Sequence, residues 1–274
     1  MQTQNLGEYE FIRKELTELK NCVTTYTGFV IGGSGITFFG AAALTESEKL
    51  NDNIVFAFLI SSIIVSLVLM ILFYKFASHN RFAGYCKLLN QEKYDSKIPF
   101  AQFISWEVCI DKLREADFDL KIMLNKAKSI KFVGINENVL DKIKAIYKQK
   151  NSIYRFIIGL WLLVKTLAGF GKTKSWNFPL YIVSVFFIIT ILHIGFGLHF
   201  YFNLPSENIS VLLTNSICSI IIVQVVFWFQ CLIKLYDLTE GKSTVEAFCW
   251  RFLPIRHEYI IKQYPNINYD LVIL

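Results

Sequence analysis

Apolar residues along this chain gather in long, nearly unbroken runs separated by polar clusters, instead of recurring singly at helical or strand spacing. Four runs, 22–44, 54–76, 178–202 and 209–235, reach the roughly 20 residues that a helix needs to cross a bilayer core. None carries Asp, Glu or Arg away from its ends, and Lys75 and Lys234 sit where they can snorkel to a headgroup. A fifth run, 153–170, has about 18 residues, at the threshold for crossing, and carries Arg155 and Lys165. Crossing stays open as the alternative, but it would put Lys172 and Lys174 outside, against the charge bias. The run reads as a membrane-surface or half-buried elbow helix that turns at Gly169-Phe170-Gly171 into the third span.

The intervening stretches read as helices of another kind. Residues 77–95 continue the second span, with Phe82, Tyr85, Leu88 and Leu89 on one side. Pro99 suits a first helical turn, and Phe103, Trp106, Ile110, Leu113, Leu120 and Leu124 follow at helical steps or multiples of them. Asn136 is a candidate cap for a helix with Val139, Leu140, Ile143, Ile146 and Tyr147 on one face. Its other face is basic: Lys142, Lys144, Lys148 and Lys150. The tail is aromatic, charged and broken by Pro254 and Pro265. The expected fold is all-α, a multipass helical membrane protein with four spans in two hairpins. Its divisions are an N-terminal helix with the first hairpin (1–76), a helical cytoplasmic module (77–152), the elbow with the second hairpin (153–235), and a cytoplasmic tail (236–274).

Composition supports the class. Hydrophobic residues make up 54% of the chain and charged residues 18%, against about 25% charged in soluble domains, which excludes an ordinary soluble enzyme. The first twenty residues lack the basic-then-apolar order of a signal peptide, so the first run is expected to remain as a span. Charge sets the orientation. Residues 75–150 hold 15 Lys/Arg against 9 Asp/Glu, whereas 45–53 carries Glu46, Glu48 and Asp52 against Lys49, and 203–208 only Glu207. The positive-inside bias puts the short acidic loops outside and both termini in the cytoplasm.

Candidate functional residues lie mostly inside the spans. The first span contains Gly28-x-x-x-Gly32, with Thr24 one turn earlier and Gly40 two turns later. Small residues at that spacing let helix backbones approach closely, either within the monomer or between subunits. Gly32-Gly33-Ser34-Gly35 also weakens the helix, each glycine costing up to about 1 kcal/mol relative to alanine, and is a candidate hinge. In the fourth span Asn215, Ser219 and Gln230 fall within about 60° of one another, while Gln224 lies opposite. Such a stripe serves either interhelical hydrogen bonds or the wall of an aqueous path. His193 is the mid-span ionisable residue, a structural hydrogen bonder or a proton-sensitive element.

Catalytic signals fail. Gly171-Lys172-Thr173 lacks the rest of a phosphate loop and a preceding strand. The histidines have no metal-ligand spacing, and the six cysteines read as reduced, apolar side chains. No enzyme activity, cofactor or metal is expected. Nucleic acid is not an expected partner either, because the basic residues are diluted by acids. The expected partners are the lipid bilayer, further copies of the chain, and a cytoplasmic protein docking on Lys142, Lys144, Lys148 and Lys150.

Glu8-Tyr9-Glu10-Phe11-Ile12-Arg13-Lys14-Glu15 ahead of a Gly-rich span, and His79-Asn80-Arg81-Phe82-Ala83-Gly84-Tyr85-Cys86-Lys87-Leu88-Leu89 after the second, carry a resemblance. Over residues 8–130 the chain resembles the two- or four-span membrane effectors of bacterial antiphage systems, in architecture more than in fixed motif. The resemblance implies a bacterial inner-membrane location, self-assembly and membrane permeabilisation, with the trigger supplied by a partner or by assembly. It transfers no functional residues. The leading expectation is therefore a channel-like or membrane-permeabilising homo-oligomer. The alternative is a non-conducting scaffold or sensor that docks a cytoplasmic protein.

Overall fold

The computed structural model describes residues 3–46, 52–94, 106–117, 125, 141, 143–145, 151–168, 178–205, 211–263 and 269–271. Within them run α1 (Thr3–Glu46), α2 (Asp52–Gln91), β1 (Glu92–Tyr94), α3 (Trp106–Asp117), α4 (Ser152–Ala168), α5 (Phe178–Phe202), α6 (Val211–Thr239), α7 (Val245–Gln263) and β2 (Tyr269–Leu271). The described residues are thus almost wholly helical. The described residues add only a three-residue antiparallel ribbon, in which Lys93 pairs with Asp270. Among the described residues, four helices are long and apolar enough to cross a membrane: Glu10–Ala43, Asn53–Leu88, Pro179–Phe202 and Val211–Thr239. They account for the four long apolar runs, and their outward residues include Phe39 (80% exposed), Ile36 and Val211. Such side chains are compatible with lipid and costly in water. This is a membrane protein.

The chain divides into two compact units. One comprises residues 21–76 and 151–236. Its helices pack through Val30 and Ala41 of α1, Phe58, Leu69 and Leu72 of α2, Val183 and Phe186 of α5, and Leu213 and Cys231 of α6. Val55, Leu59, Leu204, Leu213 and Ile217 form one buried cluster. Ala41, Ile54 and Phe58 form another, with Phe38 and Phe200 against it. Hydroxyls tie neighbouring helices: Thr37 to Ser61 at 3.3 Å and Tyr201 to Thr214 at 2.9 Å. The elbow run is a helix, α4, packed on α6. A Cβ added at Gly159 would run into the Leu232 carbonyl.

The other unit comprises residues 1–20, 77–150 and 237–274. The second span continues as helix to Gln91, with Tyr85 and Leu88 buried, but not to 95 as expected, because residues 92–94 pair with β2 as β1. In α3, Ile110 and Leu113 are buried as their spacing predicts, and so is Ile143. Pro99, Phe103, Leu120, Leu124, Asn136, Val139 and Leu140 lie outside the described residues. The expectation that Pro254 breaks the tail is corrected: α7 runs straight through it. A helix-interior proline costs about 3 kcal/mol. Burying Phe252, Leu253 and Ile255 beside it returns about 1.5–3 kcal/mol each, so burial outweighs the local penalty.

The tail helix is fastened to α2 by close packing and by hydrogen bonds. Gly84 lies so near α7 that an added Cβ would sit 2.6 Å from the Phe248 Cβ and 2.7 Å from the Val245 carbonyl oxygen. The Asn80 amide donates to the carbonyls of Ser243 at 2.8 Å and Leu238 at 3.4 Å, supplying donors at the end of α6, where carbonyls lack helical partners. Tyr85 meets Phe252 edge-on at 5.3 Å. The buried Arg251 lays its guanidinium 4.3 Å from the Phe248 ring centre and donates to the Lys242 carbonyl at 2.8 Å.

Candidate functional site

Polar side chains in the membrane-length helices sort into an inward and an outward set. Gln224 belongs to the inward set, buried to 3% exposure. Its Oε1 accepts from the Ser66 hydroxyl at 2.8 Å, and its Nε2 donates to the Ser62 hydroxyl at 3.2 Å. The Ser62 hydroxyl in turn donates to the Leu59 carbonyl at 2.7 Å. One amide thus clamps two serines a helical turn apart on α2. Interhelical bonds of this kind contribute about 0.6–1.7 kcal/mol in membranes.

The stripe of Asn215, Ser219 and Gln230 takes the other direction. All three are exposed, on the side of α6 opposite the buried Leu213, Ile217 and Gln224. Ser219 satisfies its own hydroxyl by donating to the Asn215 carbonyl at 2.8 Å. The Asn215 and Gln230 side-chain amides make no hydrogen bond among the described residues. They stand fifteen positions apart, roughly 22 Å along the helix axis. Of the two roles open to the fourth span's polar residues, internal hydrogen bonds fall to Gln224 and to Thr214, which pairs with Tyr201.

The small-residue face of α1 also points outward. Thr24, Gly28, Gly32, Gly33 and Gly40 are exposed and Gly35 partly so. A Cβ added at any of these five glycines meets nothing within 4 Å. The buried residues of α1, Val23, Val30, Ser34 and Ala41, lie on the side away from Gly28, Gly32 and Gly35. Close packing within the described chain does not use this face. The helix is continuous through residues 32–35.

His193 is fully buried. Its Nδ1 lies 2.8 Å from the Ile189 carbonyl, and since a carbonyl only accepts, Nδ1 is the donor. Nε2 has no partner among the described residues. The ring is packed against Phe38 of α1 at 4.8 Å and Phe58 of α2 at 5.9 Å, so it joins three helices. Of the basic set, Lys144 is exposed and pairs with Asp141 at 3.3 Å. Lys142, Lys148 and Lys150 lie outside the described residues.

Several fastening residues escaped the reading of the sequence. Ser62 and Ser66 carried a signal, two hydroxyls one turn apart in an apolar run, but their partner lies 158 residues away from Ser66. Gly84 and Asn80 stood in a segment noticed for other reasons. Gly159 had no local signal of its contact with α6.

No family model, no curated protein and no solved structure matches the chain. The class that the fold defines is a multipass helical membrane protein.

Proposed function

We propose that the chain is a channel-like or membrane-permeabilising effector acting as a homo-oligomer in the bacterial inner membrane, with both termini cytoplasmic. The observation that carries this reading is the outward direction of Asn215 and Gln230. An amide facing hydrocarbon without a hydrogen bond costs several kcal/mol. Two on one face call for water or another subunit beside them. In the oligomer, the open glycine face of α1 forms the subunit contact and the α6 stripe lines the water path. Residues 32–35 are the yielding point between closed and open packings. Support for two hairpins comes from the cluster of Val55, Leu59, Leu204, Leu213 and Ile217, in which residues near both short connections pack together. The positive-inside charge bias supports the orientation, and the architectural resemblance supports a role in antiphage defence.

Cysteine accessibility tests the wet wall. In a chain with its native cysteines replaced by alanine or serine, Asn215→Cys and Ser219→Cys are expected to react with a charged, membrane-impermeant thiosulfonate. Val225→Cys, exposed to 66% on another arc of α6, is expected to react at least about tenfold more slowly, because lipid suppresses the thiolate that the reagent needs. Equal protection of all three sites would overturn the assignment of the stripe to water.

A further inference from the structure

Helix α4 presents two faces, and neither is the polar face of a helix lying at a water surface. The inner face buries Gly159, Leu162, Leu163 and Thr166, and it reaches α6 at Gly159. At Gly159 the contact is backbone against backbone, with no room for a Cβ beside the Leu232 carbonyl. Phe156 meets Phe229 at 4.8 Å, and Tyr154 meets Tyr236 at 6.3 Å. The outer face exposes Ile153, Ile157, Leu160, Trp161 and Val164, between 39% and 60% each. An interfacial amphipathic helix turns charged residues to water on its far side. Here the far arc carries a single cation, Lys165, and its ammonium lies over the Trp161 ring at 4.7 Å.

Charge is confined to the ends. Arg155 is in the first turn, Lys165 in the last, and residues 156–164 between them are uncharged. That middle is roughly 14 Å long, about half of a bilayer core of ~30 Å. The partner α6 is itself long and apolar enough to cross a membrane, so the medium beside it is hydrocarbon over much of its length.

We infer that the outer arc of α4 is a lipid-contact surface seated among the acyl chains of one leaflet, with the inner face held against the α6 backbone at Gly159. The inference stands apart from conduction and would hold equally for a non-conducting protein. Between a membrane-surface and a half-buried elbow, it selects the half-buried one and assigns the outer arc to acyl chains rather than water.

Site-directed spin labelling of the full chain in phosphatidylglycerol/phosphatidylethanolamine vesicles tests it, with native cysteines replaced and labels placed singly at Ile157, Trp161 and Val164. Oxygen partitions into acyl chains and nickel-EDDA into water. The expected result is oxygen accessibility well above nickel-EDDA accessibility at all three sites, with a label at the buried Leu163 shielded from both. Retention of wild-type helicity and gel-filtration position selects the variants that are compared. Dominant nickel-EDDA accessibility would place the arc in water and overturn the inference. Shielding from both reagents at the outer sites would show a protein covering, such as a second copy, and would overturn it too.

Discussion

Gly84→Leu is expected to detach the tail helix from α2 and to destabilise the unit they share by about 3 kcal/mol or more. The β-carbon alone would lie 2.6 Å from the Phe248 Cβ and 2.7 Å from the Val245 carbonyl oxygen, and backbone cannot swing aside as a flexible side chain can. Overpacking of well-filled interiors costs about 1–3 kcal/mol even where neighbours adjust. The helix-propensity gain on replacing glycine, up to about 1 kcal/mol, does not offset that. Separation of α7 would also strip Asn80 of its acceptors at Leu238 and Ser243 and expose the buried Arg251 and Phe252. Thermal unfolding in detergent, together with limited proteolysis across residues 240–244, reads the effect. A wild-type melting temperature and cleavage rate for Gly84→Leu would contradict the packing described.

The same chemical change on the first span is expected to do the opposite. Gly28→Leu and Gly32→Leu add side chains where nothing lies within 4 Å, so the stability of the individual chain should shift by no more than about 1 kcal/mol, in the stabilising direction where helix propensity counts. The affected quantity is association. Small residues let helices meet at backbone distance, where packing rather than hydrophobic drive holds them, and a leucine there separates the backbones. The oligomeric fraction in chemical crosslinking is expected to fall about tenfold, equivalent to ~1.4 kcal/mol, at unchanged monomer helicity. Loss of folded monomer in step with loss of oligomer would show that the face packs within the chain. Gly84 and Gly32 thus form a paired test, since one glycine is filled by its own chain and the other is open.

Much of the architecture is legible in the sequence because membrane solvation imposes long-range order on composition. A span must exclude charge over some 20 residues, so the four long helices can be found without knowing what they touch. The continuation of α2 beyond the membrane-length run is legible for a related reason, since Tyr85 and Leu88 recur at helical spacing and both are buried. Pairings are not written in that local code. Gln224 and Asn215 look alike as polar residues in one apolar helix, and angular position separates them into opposite faces. Position alone does not say which face the chain fills. The answer depends on Ser62 and Ser66, residues of a helix distant in sequence. Pro254 misleads for the converse reason: its local rule is sound, and burial of its neighbours overrides it.

His193 illustrates a third case. Its burial follows from its place in an apolar run, but Phe38 and Phe58 reach it from two other helices. The candidate stripe stands between these extremes. Its angular grouping was visible along the helix, and its outward direction emerged from the packing of Leu213, Ile217 and Gln224.

Ion passage along the outward face of α6 is the property on which the proposed function rests. Membrane potential in bacteria expressing the chain, followed with a voltage-sensitive dye beside an abundance-matched Asn215→Leu/Gln230→Leu double variant, tests this most directly. Rapid depolarisation by the wild-type chain and its loss in the double variant are predicted, because in the proposed oligomer leucine would remove the amides assigned to the water path while leaving the Gln224 clamp intact. Equal depolarisation by both chains, or none by either at matched membrane abundance, contradicts a conducting stripe and favours a non-conducting scaffold.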